Sequence, residues 1–365
     1  MSEARYMDRR RFVTLAGGAA ALAGSGALGA LLEACGGEAP AQPAVPAEAD
    51  VSKVYAAAKK EGTLTWWTAH YEQSAAESMA AAFKKKYPGV EVSLLRQTAQ
   101  VINTRLNQEL KAGGTECDVF ASTDEGHYPP LIKGGYLARY APPDLDLLPK
   151  QFQGLNPDHY YHLGAIGFNV INYRTDQVTT PPKKWRDLLE PQWSGKITTG
   201  HPGFSGYVGQ WVTAMLRTYG DQYLRDLAKN MPKINRSVND TVTDIVSGER
   251  LVGSGPDNFS LAKKGSGSPI DVVFPSDGAV IVPGAVAILK DSKHLNAARL
   301  FVNFMYSNEY SQALVSTSNY PLRSDVKPAA GVPALDQTKV IRNTVDQLTK
   351  DLPDAIQKWR EIMGV

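Results

Sequence analysis

Residues 199–216 read TGHPGFSGYVGQWVTAML, a cramped run of Gly, Pro and Ser ahead of a helix-like apolar pattern. Two chemistries suit Ser205 there: a nucleophile on a tight turn, or a hydroxyl that joins backbone amides in holding an anion. A nucleophile elbow needs Gly-x-Ser-x-Gly, and Gly203-Phe204-Ser205-Gly206 brings its second glycine one residue too early. Of the six histidines (His70, His127, His159, His162, His201, His294) only His201 is a near neighbour in sequence, which says little about triad geometry. His159-x-x-His162 lacks the His-Glu-x-x-His spacing of zinc proteases, and surface histidines are the expectation. An exported serine hydrolase is thus a remote alternative, and no enzyme activity is expected. The start of a helix offers unpaired amides and a dipole that favour an anion. Ser205 suits the N-cap and can donate its hydroxyl to a carboxylate or phosphoryl oxygen, with Phe204, Gly206 and Tyr207 beside it.

Other residues can face the same ligand. Ser237, Asn239 and Asp240 begin a further helix; Trp66, Trp67, Phe204, Tyr207 and Phe259, each read singly as core packing, can as a group wall an organic pocket. Asp240, Asp257 and Asp277 are carboxylates able to take a substrate amine, which would make the ligand zwitterionic.

The elements that must position these residues follow from pattern. EGTLTWWTAHYEQSAAESMAAAFKKKYPGVEVSLL reads as strand, helix, strand: Leu64 to Trp67 as a strand, then a helix with Ala75, Met79, Ala82 and Phe83 on one face. Ser74-Ala75-Ala76-Glu77 has capping-box spacing, and Pro88-Gly89 stops the helix before a strand from Val90 to Leu95. A helix near 101–111 leads to the apolar strand CDVFAS. A second block follows: GAIGFNVINY as a strand, PKKWRDLLEPQWSGKIT as helix and strand, the Ser205 turn, a short helix ending at Gly248, and the strand RLVGSG. DVVFPSDGAVIVPGAVAIL then reads as strands crossing back, before the helix LNAARLFVNFMYS. Alternation of strand and helix is the α/β signature, and ligands of such sheets lie beyond the carboxyl ends of the strands. That selects the loops Thr68 to Tyr71 and Ser122 to His127, with Thr68, His70, Tyr71, Ser122, Thr123 and Asp124 as candidate ligand contacts. His70 and Tyr71 either meet the ligand or cap the strand end against Trp66 or Trp67; contact by at least one is expected.

A chain of 365 residues suits two domains, and 43% hydrophobic with 21% charged residues is ordinary for a globular protein. Thirty-nine Lys and Arg against 37 Asp and Glu leave no basic surface for nucleic acid. The N-terminus reads as an address. Asp8-Arg9-Arg10-Arg11-Phe12 precedes a Gly/Ala-rich uncharged stretch, pointing to twin-arginine export, and Leu32-Glu33-Ala34-Cys35 resembles a lipobox with Cys35 as the lipidated residue. The expected organisation is a signal over 1–35 and a Pro/Ala-rich tether over 36–50, with the folded part outside the cytoplasmic membrane and lipid-anchored. Cys117, the other cysteine, is expected to fill core space.

Several phrases resemble, in order, a known family: AAAFKKKYPGVEV, DVFAST, PQWSGKIT, VSGERLVGSGP, FPSDGAVIVPGAVAILK, AARLFVNFMYSNEYSQAL and NYPLRSDV. The chain is similar to periplasmic solute-binding proteins of ABC importers, of the extracellular solute-binding family 1 type that includes ferric-iron binders. The resemblance implies an α/β, type II periplasmic binding protein fold with two lobes, crossing hinge strands and the solute in the cleft. Lobe 1 would comprise 51–164 and 285–325, and lobe 2 165–284 and 326–365. It also implies a monomer that passes its solute to a permease and ATPase, and needs no cofactor. Iron binders of the family carry adjacent tyrosines where this chain has Asn258 and Phe259, and a carboxylate where Thr123 falls, just before Asp124 and Glu125. Phenolates are the natural donors for a hard, highly charged cation, so a small organic anion or zwitterion (carboxylate, phosphonate or phosphate ester) is expected, with ferric iron the alternative. No resident metal is expected.

Overall fold

The computed structural model describes residues 50–365. The export signal, most of the tether and Cys35 lie outside these described residues.

The chain opens with α1 (Val51–Glu61), β1 (Thr63–Thr68), α2 (Gln73–Lys86), β2 (Glu91–Arg96), α3 (Ala99–Lys111), β3 (Val119–Ser122) and α4 (Tyr128–Lys133). Next come β4 (His162–Arg174), β5 (Ile197–Gly200), α5 (Gly206–Tyr219), α6 (Asp221–Lys229), β6 (Lys233–Asn235), α7 (Asn239–Ser247), β7 (Val252–Pro256) and α8 (Asp257–Gly265). The remainder is β8 (Ile270–Val273), β9 (Ala279–Ile288), α9 (Leu295–Met305), α10 (Asn308–Ser316), β10 (Val340–Ile341) and α11 (Val345–Met363).

One sheet runs in the order β2-β1-β3-β9-β4-β7-β5-β6. β1 is parallel to β2 and β3, and β5 is parallel to β6 and β7, so each end of the sheet is a parallel triplet. The long antiparallel pair β4 and β9 joins them. Register decides where the triplets point. β3 runs from Val119 opposite Ile288 to Ser122 opposite Ala285, and β7 runs from Val252 opposite Tyr173 to Pro256 opposite Asn169. Both therefore run toward the middle of the crossing pair, where Gly284 faces Ala165 and Gly167 faces Val282. The carboxyl ends of the two triplets converge on one place. This is the two-lobe α/β fold with crossing hinge strands.

Local choices agree with the pattern, with two corrections. Trp66 and Trp67 point to opposite faces of β1, as a strand requires. Trp66 packs 5.0 Å from the Phe301 ring, and Trp67 lies in the other layer beneath the Arg105 guanidinium at 4.6 Å. Ala75, Met79 and Phe83 are buried and Ala82 half-buried, as the helical spacing requires. The cap of α2, however, is Glu72 and not Ser74: its carboxylate accepts from the Ser74 amide at 2.8 Å, which puts a full negative charge at the helix start. PKKWRDLLEPQW forms only the 3-10 turns Trp185–Leu189 and Pro191–Trp193. Asp187 takes the amides of Lys183 and Lys184, and Pro191 supplies no amide for an α-helix to continue through. Gly248 closes α7 at φ 83°, the left-handed conformation its position demands. Cys117 is a buried free thiol that burial pushes well above its ordinary range, in keeping with core filler.

The histidines depart from the surface placement expected of them. His70, His162 and His201 are buried, and none of the six is fully exposed. His162 Nε2 bonds the Tyr140 carbonyl at 2.7 Å, and burial lowers its pKa to about 4, so it is a neutral core residue.

Candidate solute-binding cleft

The Ser205 turn is built by His201. Its Nδ1 accepts from the Gly203 amide at 2.9 Å, and its carbonyl accepts from the amides of Phe204 and Ser205, both at 3.1 Å. This use of Nδ1 makes His201 a turn builder. Ser205 takes the N-cap place of α5 with extended backbone, φ −105° and ψ 122°. Its side chain makes no capping bond, unlike the expected N-cap serine, so its hydroxyl is not spent on its own helix. Ser205 is nonetheless only 5% exposed.

Across from this turn stands the loop after β1. His70 is buried, and its Nε2 lies 3.4 Å from the Tyr207 hydroxyl in the first turn of α5. Burial drives His70 down to about 3, and the Arg96 charge adds to that, so the ring is neutral. Its Nδ1 makes no hydrogen bond, although the Ile166 carbonyl is near. Gly167 and Gly284 make room for this pair. A Cβ on Gly167 would overlap the Tyr207 hydroxyl and sit 3.1 Å from His70 Cε1; one on Gly284 would sit 3.2 Å from His70 Nδ1. The crossing strands are bare where His70 and Tyr207 meet.

The two sides of the cleft touch directly. The Gln100 amide donates to the Phe204 carbonyl at 3.1 Å, and Gly206 lies so close to Thr123 that a Cβ there would stand 3.0 Å from the Thr123 carbonyl. Gln210 Nε2 reaches the same carbonyl at 3.5 Å. Thr123 is presented by a loop that satisfies itself. Ser122 Oγ pairs with His127 Nδ1 at 2.9 Å, while Asp124 accepts from Gln100 Nε2 at 3.0 Å and from the Gly126 amide at 2.9 Å. Burial would raise the Asp124 carboxyl, but His127 and Gln100 carry it below its ordinary value. Ser122 and Asp124 thus shape the loop, and Thr123 faces the opposite side.

The β7 end supplies Asp257 and Asn258. Asp257 is fully buried and accepts from the Phe168 amide at 2.9 Å, yet its Oδ2 has no partner. Burial pushes it up to about 7. Asn258 donates to Asn319 Oδ1 at 2.6 Å and accepts from the Phe259 amide at 2.7 Å; Tyr207 lies near its side chain. A cavity of about 450 Å³ opens here, lined by Glu72, Ser74, Asn258, Phe259, Lys263 and Asn319 among others.

Several expected contacts lie elsewhere. Tyr71 sends its hydroxyl to the Gly164 carbonyl at 2.8 Å, inside the core, so of the pair only His70 faces the cleft. Trp66 and Trp67 are core residues and wall nothing. Thr68 is buried at the strand end with Oγ1 unpartnered. Ser237 and Asp240 close their own turn: the Ser237 amide donates to Asp240 Oδ2 at 3.0 Å, and Ser237 Oγ accepts from the Asn239 amide at 3.2 Å. Asp277 takes the Trp185 amide and the Tyr219 hydroxyl, a structural pairing remote from the turn. Phe204 is half-buried between His201 and Arg236, whose guanidinium lies 4.5 Å from its ring. Pattern reading passed over Gln100, Gly167, Gly284 and Arg96. The glycines carry no chemical signal, and nothing local marks which strand residues meet across the crossing pair. Among the described residues no group of three or more His, Cys, Asp or Glu stands ready to hold a metal.

Fold and cleft together define a hinged, two-lobed binding protein of the type II periplasmic class. Over residues 116–351 the chain matches the family described as "Bacterial extracellular solute-binding protein", and it belongs to that family. It is 24% identical over 247 residues to an "Uncharacterized protein" of Haemophilus influenzae, spanning 64% of this chain and 70% of that one. It is 22% identical over 207 residues to the "Putative 2-aminoethylphosphonate-binding periplasmic protein" of Salmonella typhimurium, covering 52% of this chain and 61% of that protein. Among solved structures, the periplasmic binding protein AfuA of Actinobacillus pleuropneumoniae, with fructose-6-phosphate bound, gives a TM-score of 0.75 at 21% identity, over 84% of this chain and 99% of AfuA. Iron-bound HitA of Pseudomonas aeruginosa gives 0.70 at 20% identity, over 82% of this chain and 99% of HitA. Likeness at this identity establishes the fold.

Proposed function

We propose that this protein is the extracytoplasmic receptor of an ABC importer, taking a small organic anion or zwitterion into the cleft and presenting it to the permease. The observation that carries this reading is the convergence of His70, Thr123, Ser205 and Tyr207 where both strand triplets end, over two glycines that leave the crossing strands bare. A neutral imidazole, an uncommitted hydroxyl and the amino end of a 14-residue helix are polar and carry no negative charge, which suits an anion. Asp257, with one carboxylate oxygen unpartnered, is the group able to take an ammonium. The name of the Salmonella relative and the fructose-6-phosphate held by AfuA lie in the same chemical range.

In this reading the lobes comprise 51–164 with 285–325 and 165–284 with 326–365, and they close over solute by rotation about β4 and β9. The protein acts as a monomer, exported and held to the membrane through Cys35. A thermal-shift screen of carboxylates, phosphonates, sugar phosphates and ferric complexes tests it. A rise of several degrees with an organic anion, without turnover, supports the reading. A tyrosinate-to-iron absorption band on adding ferric citrate, or ester hydrolysis lost in Ser205→Ala, would overturn it.

A further inference from the structure

Arg96 is the last residue of β2, four residues before the amide that bonds Phe204 across the cleft. Its Nε donates to the Tyr71 carbonyl at 2.9 Å. A guanidinium has five N–H donors, and this bond fixes the plane while using one of them. Neither terminal nitrogen bonds a protein atom among the described residues, and no carboxylate approaches within ion-pair distance. Of the other arginines near the site, Arg236 lies on the Phe204 ring and Arg342 donates to the Gln151 carbonyl, while Arg360 reaches the turn from α11, beside Gly203 and His201, and not from the side of the cleft that carries His70.

The surroundings of Arg96 come from both sides of the cleft. The nearest charges are Glu72 from its own side and Asp240 from the other, with Tyr207 beside them, and His70 feels its field. Asp240 is turned to the Ser237 amide and does not close an ion pair. A half-buried guanidinium has given up much of its water, and leaving its fork unpaired costs free energy that a ligand anion would restore.

We propose that Arg96 is the anion-recognising residue of the cleft, and that its two terminal nitrogens grip a group with two anionic oxygens: a carboxylate, phosphonate or phosphate. The assignment rests on the reading of the chain as a receptor for organic anions. It adds a geometric demand, because a fork selects planar or tetrahedral oxyanions that accept two parallel hydrogen bonds.

The test is calorimetric titration of the full chain and its Arg96→Lys, Arg96→Gln and Arg96→Ala variants with 2-aminoethylphosphonate and with fructose 6-phosphate. Wild type is expected to bind at least one of them. Arg96→Ala and Arg96→Gln should weaken that binding by about 30-fold or more, and Arg96→Lys, a point charge without the fork, by about 5-fold or more. The melting temperature of the variants without added anion should fall only slightly, by the loss of the Nε bond to the Tyr71 carbonyl, because the fork itself has no protein partner to lose. Equal affinity in wild type and all three variants would overturn the role of Arg96 while leaving the receptor reading intact. A weakened affinity accompanied by a large drop in melting temperature in both Arg96→Gln and Arg96→Ala would also overturn it, by making the effect structural. Failure of wild type to bind either anion would count against both.

Discussion

The Tyr207 hydroxyl lies 3.4 Å from Nε2 of His70, joining the first turn of α5 to the loop after β1 directly over Gly167. Two residues far apart in sequence thereby share one buried spot. That meeting sets the shape of the cleft floor, and each side has measurable consequences.

Gly167 is the clearest mechanical test. A methyl there would overlap the Tyr207 hydroxyl and crowd His70 Cε1 at 3.1 Å, within a packed interior. Gly167→Ala should destabilise the fold by about 1–3 kcal/mol, the cost of overpacking, and displace Tyr207. Urea denaturation checks the first effect. A neutral result would mean Tyr207 can swing aside freely.

Ser205 tests the ligand side of the same site. Its hydroxyl makes no capping bond, so truncation removes little from the helix itself. Ser205→Ala should weaken solute binding by about 1–3 kcal/mol, the scale of one hydrogen bond to a charged group. Titration with the solute identified by screening measures it. Unchanged affinity would return the turn to plain architecture.

The pH dependence follows from two buried acids. Burial pushes Glu125 and Asp257 up to about 7 from their ordinary values of 4.5 and 3.8. Between those values the folded chain holds more protons than the unfolded one, so stability falls as pH rises through the window. Glu125 leaves both carboxylate oxygens without a hydrogen bond, with Arg342 at 4.0 Å giving only partial relief. Its share should reach on the order of 3 kcal/mol above neutrality, at 1.4 kcal/mol per unit of pKa. Melting temperature should therefore drop between about pH 4 and pH 7, and less steeply in Glu125→Gln. A variant with the wild-type slope would clear Glu125 of the effect.

Asp118 anchors the amino end of the parallel pair β1 and β3. It accepts from the Thr65 amide at 2.7 Å, from Ser292 Oγ at 2.6 Å and from His294 Nδ1 at 2.9 Å. Asp118→Ala strands all three donors and should cost about 2–4 kcal/mol, read by chemical denaturation. Solute affinity should be untouched, since Asp118 lies at the start of β3, away from the convergent ends.

Much of this was written in local pattern. Strand–helix alternation, the apolar face of α2, the closing Gly248 and the helix start at Ser205 are effects of neighbours within a few residues, where periodicity and backbone preference act. The same reasoning selected the loops around His70 and Thr123, because strand ends face ligands in any such sheet. It failed where a side chain's partner is distant. Whether Tyr71 faces the cleft or the Gly164 carbonyl, and whether Asp124 meets solute or Gln100, depend on contacts no spacing encodes.

The sequence by itself thus determined the class of fold, the family and the strand ends that a ligand of such a sheet would meet. Only the tertiary structure decided which groups are left for that solute. The reason is competition: every buried polar group takes a protein partner when one is within reach, and reach is set by how β4 and β9 cross. Ser205 and Arg96 retain unspent donors because, among the described residues, the fold brings no protein acceptor within hydrogen-bond reach of the Ser205 hydroxyl or of the terminal nitrogens of Arg96.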